Sequence, residues 1–310
     1  MTYQESLTPY RRGPEDVRWL KERLGYMSCH TAVDLPLVRY KYGQSEAERS
    51  KPIHLEHTLM FKGRPIEQIL EISYSKKAPS PSIYDTMMAI NWLLQEQGFN
   101  NNILEIDSIN RISKMTGGNR NTILSDLERL TGVHISGRKL AFDLGTGDYW
   151  DIDIVPFPLF ARKKRVGINL PRRVIFQIND FWMAYIQNNI LHLPQTYHDY
   201  FALKSVLAKL LFTRLMKVFY KIENPRADMM RLGRWLLLEN ANIHSMKQTF
   251  ERACQELEKI HFLRSYKIKE SKTKEGYTIY FRAHGKSLED LKWLTPPTKA
   301  LYFGSLDCSS

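Results

Sequence analysis

The chain has 310 residues, 43% of them hydrophobic and 25% charged, a balance that supports one large or two ordinary domains with a buried core. Its formal net charge is +12 and its pI about 9.5, which favours a polyanionic partner, nucleic acid before an acidic membrane surface. Three scattered cysteines, Cys29, Cys254 and Cys308, form no CxxC pair and speak against a disulfide framework or a thiolate zinc site. Residues 1–12 are polar, with no apolar signal core, and no stretch reaches the roughly eighteen apolar residues of a membrane span. The expectation is a cytoplasmic protein with no membrane contact.

Residues 1–13 read as a loose arm and 14–27 as a short helix, with Pro14 in its first turn and Val17, Leu20 and Leu24 along one side. Alternation predicts strands over 54–62 and 68–75, before Ala78-Pro79-Ser80-Pro81 breaks the pattern. A helix follows to about 97, capped by Ser82, with Ile83, Met87, Ile90 and Leu94 on one face. Residues 103–106 form a short strand. Asp107 is placed to cap a helix carrying Ile109, Ile112 and Met115 inward. Thr116-Gly117-Gly118-Asn119 turns the chain into a further helix, 120–130, with Ile123, Leu127 and Leu130 inward. Residues 134–135 and 140–142 are expected to pair across Ser136-Gly137, and 149–155 to add a strand.

Beyond this helix-turn-helix lies a basic connector. Arg162, Lys163, Lys164, Arg165, Arg172 and Arg173 place six basic residues within twelve positions. Residues 166–170 read as a strand, 174–188 as one or two short helices, and 198–221 as one long helix with Phe201, Leu203, Leu207, Leu210, Leu211, Leu215 and Val218 buried. A second helix-turn-helix comprises a helix over 227–238, an interruption at Asn240-Ala241-Asn242, and a helix over 244–260. Met246, Phe250, Ala253, Leu257 and Ile260 line its inner face. Strands over 262–269 and 277–282, joined by a lysine-rich turn, complete the outline of a winged helix, a unit that puts its second helix into the DNA major groove. The tail after Trp293 reads as a frayed end. The expected fold is α+β, mostly helical, with two winged-helix domains in tandem. Residues 1–62 form an extension, 63–165 and 166–292 the two domains, and 293–310 a flexible tail.

In the later unit, the face opposite Phe250 and Leu257 carries Ser245, Lys247, Gln248, Glu251 and Arg252, with His244 at the helix start. Gln and Arg can bond two atoms of an adenine or guanine edge, Lys can reach guanine or phosphate, and a helix N-terminus can meet a phosphate. The bland reading is a solvated helix face. The hairpin behind it holds Arg264, Lys267, Lys269, Lys272, Lys274, Arg282 and Lys286 against only Glu270 and Glu275. It can lie along the DNA backbone and release counterions, or be an edge kept soluble by lysine. The earlier unit offers Asn119, Arg120, Asn121, Thr122, Ser125 and Arg129, with Asn119 also suited to capping and Asp126 expected on the same side, where it repels phosphate. Arg162, Lys163, Lys164 and Arg165 read as a linker crossing phosphates or as a solvated loop. GxxxxGK[ST] and GxSxG motifs are absent. His54-Leu55-Glu56-His57 is the nearest metal-like spacing, but a strand points the two histidines to opposite faces. Tyr197-His198-Asp199-Tyr200 reads as helix start and core. The residues therefore imply no enzyme, no cofactor and no metal.

Three short segments in a fixed order carry a family likeness. They are 82–130, ending Leu127-Glu128-Arg129-Leu130-Thr131; Val166-Gly167-Ile168-Asn169-Leu170-Pro171; and 200–212, with Leu210 where the family has a basic residue and Phe212 where it has tyrosine. Across 63–283 the chain resembles plasmid replication initiators of the replication initiator protein A family, which carry two winged-helix domains. The resemblance implies a bacterial, DNA-associated protein that binds double-stranded DNA at origin repeats and at its own promoter, helps open the duplex, and recruits the host replicative helicase and initiator. It also implies a monomer–dimer equilibrium, with the first domain serving dimerisation and the second the main sequence reading. A winged-helix transcriptional repressor is the alternative. A scaffold docking acidic partners and a nuclease are readings from other classes.

Overall fold

The structure is a computed structural model describing residues 26–29, 45–61, 64–97, 101–143, 148–167, 171, 173–180, 183, 191–221, 224–236, 238, 242–271, 276–284 and 301–303. It opens with β1 (Tyr26–Cys29), which pairs antiparallel with β9 (Leu191–Thr196). The short α1 (Glu46–Arg49) is started by a capping box in which Ser45 and Glu48 satisfy each other's backbone N–H groups. Then β2 (Ile53–Phe61) and β3 (Arg64–Tyr74) form a long hairpin in continuous register.

The first helix-turn-helix unit runs α2 (Ile83–Glu96), β4 (Ile103–Ile106), α3 (Ile109–Thr116), α4 (Arg120–Leu130), β5 (Val133–Asp143) and β6 (Tyr149–Ile154). Its large sheet is ordered β13-β5-β3-β2, with β6 also on β5 and β13 (Leu301–Phe303) at the edge. A smaller sheet joins β4 to β8 (Arg173–Gln177) and β8 to β7 (Leu159–Lys163). The second unit runs α5 (Tyr197–Ala202), α6 (Val206–Lys221), β10 (Arg226–Asp228), α7 (Met229–Trp235), α8 (Ile243–Lys259), β11 (Leu263–Glu270) and β12 (Tyr277–Ala283). Helix, strand, helix, helix and two wing strands thus recur in the same order in both units.

The expectation of a mostly helical chain is overturned. Among the described residues, thirteen strands in four antiparallel sheets stand beside eight helices. Much of the extra strand comes from the first unit. Residues 134–142 do not turn at Ser136-Gly137 but continue as one strand, paired to β3 on one side and β6 on the other. The irregularity is a bulge. Lys139 adopts a left-handed φ of 54°, its carbonyl accepts a bond from buried Gln68 Nε2 at 2.6 Å, and its N–H donates to Asp151 Oδ1 at 2.7 Å.

Other local expectations are corrected for similar reasons. Val166 and Gly167 lie in a turn, and residues 174–177 belong to β8, where Val174 and Phe176 alternate inward. The long helix over 198–221 is two helices. The N–H groups of Lys204 and Ser205 at the start of α6 donate to Glu256 Oε2 at 2.8 and 3.1 Å, a carboxylate from α8. Residues 226–228 are a strand, and Asp228 caps the shortened α7 by accepting from Arg231 N at 2.7 Å. Ser108, rather than Asp107, caps α3. Part of the tail is ordered into the large sheet, where Leu301 to Phe303 pair with Asp143 to Ala141. The arm 1–13 lies outside the described residues, as does the helix expected at 14–27 except for Tyr26 and Met27, which belong to β1.

One hydrophobic core runs through both units. Trp92 of α2 stacks on Tyr197 of α5, centroids 4.8 Å apart and nearly parallel, and Asn91 Nδ2 donates to the Tyr197 hydroxyl at 2.8 Å. Lys209 of α6, only 9% exposed, donates to both oxygens of Asp85 on α2 at 2.8 and 2.9 Å. The Tyr200 ring lies 5.5 Å from the same ammonium. Burial first and Asp85 second push the Tyr200 hydroxyl well above the ordinary tyrosine range.

Candidate nucleic-acid interface

Each unit presents the N-terminal part of its second helix to solvent. In the first unit, α3 ends at Gly117, whose φ of 69° makes the left-handed stop. Ser113 Oγ donates to Gly118 O at 2.7 Å and holds the turn. Asn119 then caps α4, its Oδ1 accepting from Asn121 N at 2.9 Å. Arg120, Asn121 and Thr122 are exposed and Ser125 half-buried. Asp126 does not share that face. It is fully buried and accepts bonds from Ser80 N, Ser80 Oγ and Ser82 Oγ at 2.9, 2.9 and 2.6 Å. The carboxylate expected to repel phosphate instead ties α4 to the start of α2.

Arg129 is committed to the fold. Its guanidinium donates to Ala78 O at 3.1 Å and pairs with Glu46 at 3.3 Å, beside Lys77, which holds the Glu46 carboxyl below its usual range. In the connector, Arg162 pairs with Glu128 at 3.2 Å and lies over Phe160, while Lys163, Lys164 and Arg165 are exposed. Arg173 pairs with Glu105 at 2.6 Å; Arg172 lies outside the described residues.

In the second unit, Asn242 caps α8 by accepting from His244 N at 2.9 Å. Met246, Phe250, Ala253, Cys254 and Leu257 are buried. His244, Ser245, Gln248, Arg252 and Gln255 are exposed, and their spacing of three and four places them in one stripe on the opposite face. Lys247 and Glu251 flank the stripe, 4.0 Å apart. Lys247 also sits over the Tyr277 ring at 4.9 Å, so the helix and the root of the wing meet there. The approach of α7 to α8 is close enough that a Cβ on Gly233 would stand 2.8 Å from Met246 Sδ.

The wing sheet is ordered β10-β12-β11. Ile279, Phe281 and Ala283 point into the core, and Lys267 and Lys269 are exposed. Lys272 and Lys274 lie outside the described residues. Arg226 and Tyr280 were missed from the sequence as surface partners of this wing. Arg226 reads locally as the start of a helix, and only the sheet register brings it beside Tyr280. The first wing has missed members too: exposed Arg138, and Lys139 with its ammonium 5.5 Å from the Tyr149 ring.

His54 holds Glu56 through Nε2 at 3.2 Å and Glu71 through Nδ1 at 3.0 Å, and the bond to Glu56 first, then that to Glu71, raises its pKa. Among the described residues no group of three metal-ligating side chains converges, and no helix is long and apolar enough to cross a membrane.

Two units, each a helix-turn-helix with a β wing, define the class of architecture. A solved structure shares it: the crystal structure of domains 2 and 3 of RctB superposes with a TM-score of 0.54 at 13% identity, over 82% of this chain and 99% of that one. A second crystal structure of the same RctB domains gives 0.46 at 12% identity, over 76% and 93%. No protein-family profile matches the chain, and no curated protein matches its sequence. The replication initiator protein A family is therefore not established for it by sequence, and the likeness to RctB is one of fold.

Proposed function

We propose that the chain is a sequence-specific double-stranded-DNA-binding protein that initiates replication at a plasmid origin and has no catalytic step of its own. The observation that carries this reading is the exposed polar stripe of α8, with Gln248 and Arg252 at its centre, standing beside a lysine-bearing wing. Side chains of those types make paired bonds to base edges, and wing lysines neutralise phosphates regardless of sequence. Arg120, Asn121 and Thr122 of α4 offer a second reading element, and the core shared by the two units holds both in one body. The likeness to RctB is one of fold; the initiator role rests on the resemblance of residues 82–130, 166–171 and 200–212 to plasmid replication initiators.

In this reading the protein binds origin repeats and its own promoter, moves between monomer and dimer, and hands the opened duplex to the host helicase and initiator. Selection from a pool of random duplexes is expected to enrich one motif. A plasmid bearing tandem copies of that motif should then replicate only when the protein is supplied. Enrichment without replication would leave a transcriptional repressor. Enrichment of no motif would remove sequence-specific binding altogether.

A further inference from the structure

The wing sheet has a second face, turned away from α8. Alternation along β12 sends Ile279 and Phe281 into the core and leaves Tyr280 on the outside, 40% exposed. Tyr280 occupies the central strand. Its cross-strand neighbours are Arg226 on β10 and Lys267 on β11, both exposed. One row along, Lys269 faces Thr278, and its ammonium stands 5.8 Å from the Tyr280 ring. One row the other way, exposed Arg282 faces Ser265. The carboxylate on this face, Asp228, is engaged in capping α7. An aromatic ring thus sits in the middle of a sheet face with a cation on each side.

We propose that this face, centred on Tyr280 between Arg226 and Lys267, binds single-stranded nucleic acid, with one base stacked on the ring and the adjoining phosphates held by the flanking cations. Stacking is open to any base, and a charged surface beside the ring tracks a flexible backbone that no duplex can present base-first. An acidic peptide would use the cations and leave the ring without purpose. The proposal goes beyond duplex recognition, because the face lies across the sheet from the recognition helix, so a duplex on α8 and a single strand on Tyr280 can be held together. DNA is the expected source, as the strand displaced when a duplex opens beside the protein.

The test is fluorescence anisotropy with the full chain and a labelled mixed-sequence 20-nucleotide DNA strand. The same strand as RNA, the selected duplex, and a labelled glutamate polymer serve as parallel probes. Tyr280→Ala is expected to weaken single-strand binding about tenfold, the effect of losing one stacked base. Tyr280→Phe should stay within about twofold, since the ring suffices. Duplex affinity should be unchanged in both. Undiminished single-strand binding by Tyr280→Ala would overturn the proposal. So would a wild-type protein that binds the selected duplex but no single strand, an outcome that leaves the duplex reading intact. Equal losses of glutamate-polymer and DNA binding in Tyr280→Ala would reassign the face to an acidic peptide. Tighter binding of RNA than of DNA would overturn the assignment to a displaced DNA strand.

Discussion

Replacing Asp85 by Asn tests whether the junction between the two units is a major source of stability. Lys209 keeps only 9% of its side chain exposed and donates to both Asp85 oxygens at 2.8 and 2.9 Å. Asparagine fills nearly the same volume but leaves a buried ammonium without its counter-charge. Removing one partner of a buried pair costs roughly 3–5 kcal/mol. Asp85 retains 21% exposure, so some water reaches the pair and the lower end, about 3 kcal/mol, is expected. For a chain of 310 residues that corresponds to a fall in Tm of about 5 °C, at an unfolding entropy of about 2.1 cal/mol/K per residue. Urea unfolding followed by circular dichroism measures the loss directly. The double variant Asp85→Leu with Lys209→Met should recover most of it, because an apolar pair in the same space carries no desolvation cost. A loss below about 1 kcal/mol in Asp85→Asn, the size seen for exposed pairs, would refute the reasoning. A loss that the double variant deepens would show that the charges themselves, and not the avoidance of an unpaired one, hold the junction.

Arg252→Ala should cost about 1–3 kcal/mol on the selected duplex and relax preference at one base position, measured by repeating the selection with the variant. Lys272→Ala, in the lysine-rich turn of the wing, should weaken all duplex DNA alike and lower the slope of log affinity against log salt by about one; equal losses on selected and random DNA in both variants would remove this division of labour. Gly117→Ala should destabilise by about 1 kcal/mol in urea unfolding. Its added Cβ meets no atom within 4 Å, so the whole cost lies in the left-handed φ of 69°, and a neutral result would mean the turn rearranges. Burial, and then Glu258 and Glu251, push the Cys254 thiol well up. Maleimide at pH 8 should therefore label Cys254 only after denaturation, as mapped by mass spectrometry, and labelling of the folded protein would contradict the packing of α8.

Elements whose signals are local were legible. The 3.6-residue period of α8 and α4, the Asn119 cap, the Gly117 stop and the alternation of β12 each depend on residues within one or two turns. Elements set by distant partners were not. The break between α5 and α6 is held by Glu256, some fifty residues downstream, and a helical hydrophobic pattern passes straight through it. The unbroken course of β5 depends on Gln68 and Asp151 accommodating Lys139, while Ser136-Gly137 reads locally as a turn. The weight of strand was underestimated for the same reason: β3, β5 and β8 take their register from neighbours far away in the chain.

The candidate interface divides along the same line. By itself the sequence determined the surplus of positive charge, the two amphipathic second helices and the polar stripe on each, because composition and periodicity require no partner. Only the tertiary structure decided which charges are free to meet a partner. Arg129, Arg162 and Arg173 are paired to Glu46, Glu128 and Glu105, and Asp126 is withdrawn into the core, whereas Arg120, Arg252 and Lys267 remain exposed. Whether a side chain is spent or available depends on what the fold brings within about 3 Å of it, and that is a long-range property.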